Sequence, residues 1–309
     1  MTNLTEFTFL SSDGKTRLHA MQWLPEGTPR AVLQISHGVA EHIGRYDGFA
    51  RYLNEQGLAV VGHDHLGHGG SLPEGGTPVY FGDGTPWETV VADIQLLHEQ
   101  LRREFSGVPL CLMGHSMGSF LARSYLIRYP GTLRAAIIMG TGWQPQAKLT
   151  GGRAVAEVVC AAQGPSAASK LVNDLAFGGY NKAFAPNRTG YDWLSADSEN
   201  VDRYIADPLC GQKASIGLFY EMLGGIRFIS TPKNIASMNR NTPILFISGD
   251  KDPVGEMGKG VRRAYEAFRR AGVRDVELKL YKGLRHEILN EDCRAVVYND
   301  LWSWIEKHL

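Results

Sequence analysis

Apolar runs and amphipathic runs alternate along this chain with a regular rhythm. Glu6 to Leu10 and Thr16 to Leu24 read as two strands joined by the turn Ser11-Ser12-Asp13-Gly14, in which Asp-Gly is a hairpin signal. Ala31 to Ser36 and Leu58 to Gly62 are near-continuous apolar runs, the pattern of strands buried on both faces. Between them Phe49, Tyr52 and Leu53 share one face of a helix over roughly 46–55, which Gly57 stops. Val90, Ile94, Leu97, Leu101 and Phe105 recur at helical spacing and predict a long helix over 89–105. A short apolar run from Pro109 precedes Gly114, with a helical pattern after it that ends near Tyr129-Pro130-Gly131. Further strands are predicted at Leu133 to Met139, Ile244 to Ser248 and Val276 to Tyr281, with helices over 260–271 and 295–308. This alternation predicts the α/β class: an eight-stranded, mostly parallel sheet with helices on both faces. From about Gly142 to Arg240 the rhythm breaks into helical patterns and loops without a convincing buried strand. That stretch is too long for a connection. It is expected to be a helical cap over the carboxyl ends of the strands, where open α/β sheets bind ligands. The expected organisation is core 1–141, cap 142–240 and core 241–309.

The chemistry concentrates in Gly114-His115-Ser116-Met117-Gly118, a G-x-S-x-G pattern with a strand before it and a helix after it. Such a turn is tight enough that side chains beside the serine would clash, and glycine has no Cβ to clash. Ser116 is then a candidate nucleophile that needs a base and an acid from elsewhere. In this architecture they follow in the order serine, acid, histidine, each in a loop after a late strand. The loop after Val276 to Tyr281 carries His286, the candidate general base and then general acid. The loop after Ile244 to Ser248 carries Asp250 and Asp252, either of which can serve as the acid. Asp252 is preferred because it reaches further past the strand end and Pro253 stiffens its loop. For the developing oxyanion, one donor is expected from the backbone N–H of Met117. The other is expected from Val39, in the His37-Gly38-Val39 turn after Ala31 to Ser36.

Charge changes the picture only by exclusion. Lys and Arg total 32 against 32 Asp and Glu, so no global field favours nucleic acid or an anionic membrane. Cys111, Cys160, Cys210 and Cys293 have no C-x-x-C spacing, so neither a disulfide framework nor a zinc knuckle is expected. The amino terminus lacks the basic and apolar regions of a leader, and no stretch has the length of a membrane span. The expectation is a soluble cytoplasmic protein. His63-Asp64-His65 with His68 invites a metal reading. The further ligands are missing, so hydrogen bonding within the loop is expected there instead, and no metal. His115 is expected to be packed and not catalytic. The run Ile216 to Ile229 reads either as core of the cap or as an apolar wall for an acyl chain, with a surface that could touch lipid aggregates.

With these residues in hand the chain resembles the monoglyceride lipase and lysophospholipase branch of the α/β-hydrolases, grouped with the serine aminopeptidase-like hydrolases. The matching stretches are His37-Gly38-x-x-Glu41-His42-x-x-Arg45-Tyr46, Asp64-His65-x-Gly67-His68-Gly69-x-Ser71 and Gly114-His115-Ser116-Met117-Gly118. Gly249-x-x-Asp252-x-Val254 and Arg285-His286-Glu287-x-x-Asn290-Glu291 complete the set. In the cap the match is looser, through Asp192-Trp193-Leu194-Ser195 and Ala206-Asp207-Pro208-Leu209-Cys210. The resemblance implies Asp252 as the acid, hydrolysis of acyl esters such as monoacylglycerols or lysophospholipids, a cap lined for an acyl chain, and no cofactor. Other chemistry on the same scaffold stays open: aminopeptidase, thioesterase or acyltransferase. An aminopeptidase would need an acidic cap group near Ser116 for the substrate amine, and Glu157, Asp174, Asp192 and Glu221 are candidates. A dehalogenase or epoxide hydrolase would want Asp in place of Ser116. An intact Ser, Asp and His set argues against a purely ligand-binding member.

Overall fold

The computed structural model describes residues 3–84 and 86–309; Met1 and Thr2, part of the amino-terminal stretch read above for a leader, lie outside them. Eight strands form one sheet: β1 (Asn3–Leu10), β2 (Arg17–Leu24), β3 (Ala31–Ser36), β4 (Leu58–His63), β5 (Leu110–His115), β6 (Ala135–Met139), β7 (Ile244–Gly249) and β8 (Val276–Tyr281). Their order across the sheet is β1-β2-β4-β3-β5-β6-β7-β8. The β1–β2 and β2–β4 pairs are antiparallel and every later pair is parallel, as the alternation predicts. Each parallel crossover carries helices, because parallel strands need a long connection. They are α1 (Asp47–Glu55), α2 (Pro86–Glu104), α3 (Met117–Arg128) and, in the second half, α9 (Lys259–Arg270); α10 (Arg294–Lys307) follows the last strand. Between β6 and β7 lie α4 (Gln146–Gln163), α5 (Lys170–Phe177), α6 (Ser198–Ala206), α7 (Ile216–Ile229) and α8 (Pro232–Ile235). No strand occurs there among the described residues.

The central strands are buried at every position. Successive residues supply opposite faces. Met113, Ile137 and Ile247 face Phe49 and Leu53 of α1 and Leu301 and Ile305 of α10. Leu112, Ile138 and Phe246 face α3 and α9 through Leu121, Tyr125 and Phe268. The helix predicted over 89–105 starts three residues earlier, at Pro86, and ends at Glu104. Proline tolerates the first turn because the N–H it lacks would have no helical partner there. The sheet reverses its order at β3, with β4 on one side and β5 on the other. The loops after β3 and β5 therefore diverge at the carboxyl edge, the usual place for a ligand in such a sheet.

One buried group beneath that edge makes the fold acid-sensitive. His37, His63, His65 and His68 cluster, with ring centroids 4.2 Å apart for His37–His65 and 5.0 Å for His63–His65. Burial holds all of them below their ordinary value of 6.5, His63 at about 3 and His68 at about 4. A histidine kept neutral when folded binds its proton only when unfolded. Its stabilising share is complete above 6.5 and is lost as pH falls from there toward the folded value. His19 and His115 are shifted upward and act in the opposite sense. The slope is about 1.4 kcal/mol per pH unit for each buried neutral histidine. The thermal midpoint should therefore fall by about 10 °C between pH 7 and pH 5. A scanning calorimetry series with a flat midpoint over that range would contradict this.

Candidate active site

Ser116 sits between β5 and α3 with φ +54° and ψ −121°, a backbone conformation that costs a non-glycine residue about 1–3 kcal/mol. The surroundings enforce it. Ser116 N–H donates to the Met139 carbonyl (3.0 Å), and the hydroxyl of Ser119 donates to the Ser116 carbonyl (2.5 Å). Both flanking glycines are required by contact. A Cβ on Gly114 would lie 2.2 Å from the Gly118 carbonyl oxygen, and one on Gly118 would lie 2.0 Å from that of Ser36.

His286 follows β8 and Asp252 follows β7, adjacent parallel strands. His286 Nδ1 lies 3.0 Å from Asp252 Oδ1, although the N–H is not aligned for a straight hydrogen bond. Such contacts commonly tighten only when substrate is bound. Asp252 is fully buried and accepts from the Ser248 hydroxyl (2.9 Å) and the Val254 N–H (2.9 Å). Burial pushes its carboxyl upward, but His286 and these donors outweigh it and hold the group below the ordinary carboxylate value. Asp250 faces elsewhere, accepting from the Gly283 N–H (2.8 Å) in an exposed turn. Of the two aspartates weighed from sequence, only Asp252 meets the histidine.

A cavity of about 850 Å³ opens on Ser116, Met117, Val39 and His286. The Gly38 N–H is engaged with Glu41 Oε1 (2.5 Å), whereas the Val39 N–H makes no hydrogen bond among the described residues. The walls are mostly apolar, among them Leu149, Val155 and Leu175, with Phe219, Met222 and Ile226 of α7. Helix α7 thus both lines the cavity and contributes to the core. Ile216, Leu218 and Ile229 are buried core, and Gly225 lies against Trp87, where a Cβ would come within 2.1 Å of the indole.

Several residues of the site were seen in sequence only as parts of matching stretches. Glu41 is buried and accepts from Gly38 N–H, Tyr46 Oη (3.0 Å) and Arg45 Nη1 (3.0 Å), with His115 Nδ1 3.1 Å away. Arg45 also clamps both oxygens of Glu287, at 2.6 and 2.7 Å. Burial raises the Glu41 carboxyl, yet His115 and Arg45 prevail and hold it well below its ordinary value. His115 is packed, as expected, but within this network. Its ring lies 4.7 Å from that of His286, and Trp193 covers His286 at 5.1 Å. A spacing pattern marks such residues as present and says nothing of whom they touch.

Asp64 makes hydrogen bonds, as expected, but only one partner, Gly70, lies in its own loop; the others reach from the turn after β3 and from β2. It accepts from Ile43 N–H (2.7 Å) and Gly70 N–H (2.8 Å) and pairs with His19 Nδ1 (2.8 Å). Elsewhere, His42, Asp207 and Cys210 bring one donor each within 4.8 Å of one another, and so do Asp275, Glu277 and His308. In both groups the histidine and an aspartate already pair, at 2.8 and 3.0 Å. Of the carboxylates proposed for a substrate amine, Glu157, Asp192 and Glu221 do not line the cavity. Asp174 lines it but pairs with Lys170 at the surface.

A family model described as serine aminopeptidase, S33, matches residues 27–293. The monoacylglycerol lipase of Mycolicibacterium smegmatis is 32% identical over 297 residues, covering 96% of this chain and 95% of that protein. The human monoglyceride lipase is 28% identical, covering 96% and 89% respectively. Among solved structures, a carboxyl esterase from Bacillus coagulans superposes with a TM-score of 0.92 at 27% identity, over 99% of both chains. The chain belongs to the serine aminopeptidase S33 family of α/β-hydrolases, in its monoglyceride lipase-like branch.

Proposed function

We propose that this protein is a serine hydrolase of carboxylic esters, with monoacylglycerols or lysophospholipids as its substrate class. The observation that carries the reading is that Ser116, on its strained turn, and His286, paired with Asp252, line one large, mostly apolar cavity. Ser116 Oγ attacks the ester carbonyl while His286 takes its proton. Asp252 orients the imidazole and stabilises its cation. The N–H groups of Val39 and Met117 receive the negative charge that develops on the carbonyl oxygen. The alcohol leaves with the proton from His286. Water then attacks the acyl-enzyme by the same route and releases the acid.

Residues 142–240 act as the cap in this reading, and the acyl chain lies along α4, α5 and α7. Val158 of α4 and Leu171 and Leu175 of α5 are 70%, 56% and 68% exposed. They offer an apolar surface for transient contact with lipid aggregates, from which a water-insoluble ester could enter. Among the described residues no helix is long and apolar enough to cross a membrane. All four cysteines are free, which fits the reducing cytoplasm as the proposed location. The aminopeptidase alternative is weakened because each carboxylate that lines the cavity is already paired with a cation, Glu41 and Glu287 with Arg45 and Asp174 with Lys170.

The test is a panel assayed with the purified protein: p-nitrophenyl esters of rising chain length, a monoacylglycerol, a lysophospholipid and an aminoacyl anilide. The expected result is ester cleavage with a medium- to long-chain optimum and an untouched anilide. Anilide cleavage with weak ester activity would overturn the assignment in favour of a peptidase.

A further inference from the structure

Resting on the reading of His286 as the base, we propose that residues 192–200 of the helical insertion belong to the catalytic apparatus, with Trp193 and Glu291 as positioning residues for the imidazole. The loop that carries His286 is held by the insertion on both sides of the histidine. On one side, Arg285 donates through its guanidinium to the carbonyls of Asp192 and Ser195, and its planar head lies over Phe184. On the other, the Glu287 N–H donates to the Leu194 carbonyl (2.7 Å), and Asn200 Nδ2 donates to Glu287 Oε2 (2.8 Å).

Glu291 closes the arrangement. Its buried carboxylate accepts from the Ser195 hydroxyl (2.7 Å), from the backbone N–H groups of Ala196 (2.9 Å) and Asp197 (3.1 Å), and from the Arg285 N–H (3.1 Å). An acceptor-only group meets donors alone, a set that glutamine cannot satisfy without turning an NH₂ toward an N–H. Between these ties two rings pack on the imidazole at a tilt: His115 from the core, at 4.7 Å and 40°, and Trp193 from the insertion, at 5.1 Å and 39°. The core thus supplies Asp252 and one packing ring, and the insertion supplies a second ring and the hold on both neighbours of His286. Catalytic groups tolerate displacements of only about 0.5 Å, so freeing this segment should cost turnover.

Trp193 also lines the cavity, and this sets the competing role: a wall for the acyl chain. The two roles separate in kinetics. A wall changes KM in proportion to chain length, whereas a positioning residue changes kcat for every ester alike. The experiment measures kcat and KM on p-nitrophenyl acetate and on a long-chain p-nitrophenyl ester for Trp193→Ala, Trp193→Phe and Glu291→Gln, with His286→Ala as reference. Trp193→Ala and Glu291→Gln should lower kcat about tenfold or more on both esters, with KM within about twofold. Trp193→Phe, which keeps a ring over the imidazole, should recover most of the loss. If Trp193→Ala leaves the acetate kcat unchanged and raises KM only for the long ester, the proposal is overturned while the base assignment stands. An active His286→Ala would instead overturn the base assignment itself. Should Glu291→Gln fail to fold, the Trp193 pair decides alone.

Discussion

Ser116→Ala reduces ester turnover on the order of 10⁴- to 10⁶-fold while the protein stays folded. The loss is large because the serine oxygen forms the covalent bond to the acyl group, and among the described residues that line the cavity there is no other serine, threonine or cysteine. The residual rate comes from the two backbone donors and from binding, which the substitution leaves in place. The fold persists for a local reason. Alanine keeps the Cβ, so the residue at φ +54° is no more strained than before, and the ties of the turn to Met139 and Ser119 involve backbone atoms of residue 116. A thermal midpoint within a few degrees of wild type, with turnover at background, is the expected pair of readings. Turnover near wild type would remove Ser116 from the mechanism.

Asp252→Asn should lower kcat by about 10⁴-fold, and Asp250→Asn by less than about twofold. Asp252 is fully buried, carries a carboxyl held below its ordinary value, and lies 3.0 Å from His286 Nδ1. An amide there offers an NH₂ to the imidazole. That stabilises the tautomer with its proton on the nitrogen facing Ser116, which cannot accept the hydroxyl proton. The charge that would balance the imidazolium is lost as well. Asp250 ties the exposed turn at Gly283, a contact an asparagine oxygen preserves. Steady-state kinetics on one soluble ester for the two variants is sufficient. Equal losses would mean that the acid is not Asp252 alone.

Much of the fold was legible because each central strand is largely apolar and buried at every position, and each helix covers one face. Strands β3 and β8 begin and end where the pattern places them. The start of α2 was missed because Pro86 and Trp87 precede the first clear helical repeat. The elbow was legible for a steric reason, since only glycine fits at 114 and 118. Reach along the chain gave only a preference for Asp252 over Asp250, which the family resemblance strengthened. What was not legible is contact between distant segments. Glu41 joins the turn at Gly38 to His115, 74 residues away, and Glu291 holds Ser195 from 96 residues away. Glutamates of this kind look like any others in a sequence until folding removes the water around them.

The most direct test is to trap the acyl-enzyme. The purified protein is mixed with excess long-chain p-nitrophenyl ester, quenched in acid within the first turnover, and analysed by peptide mass spectrometry. Ser116 should carry the mass of the acyl group, with a burst of p-nitrophenol of about one equivalent and no adduct in Ser116→Ala. Steady turnover with no adduct, or with the acyl group on another residue, would contradict a serine ester hydrolase built on Ser116.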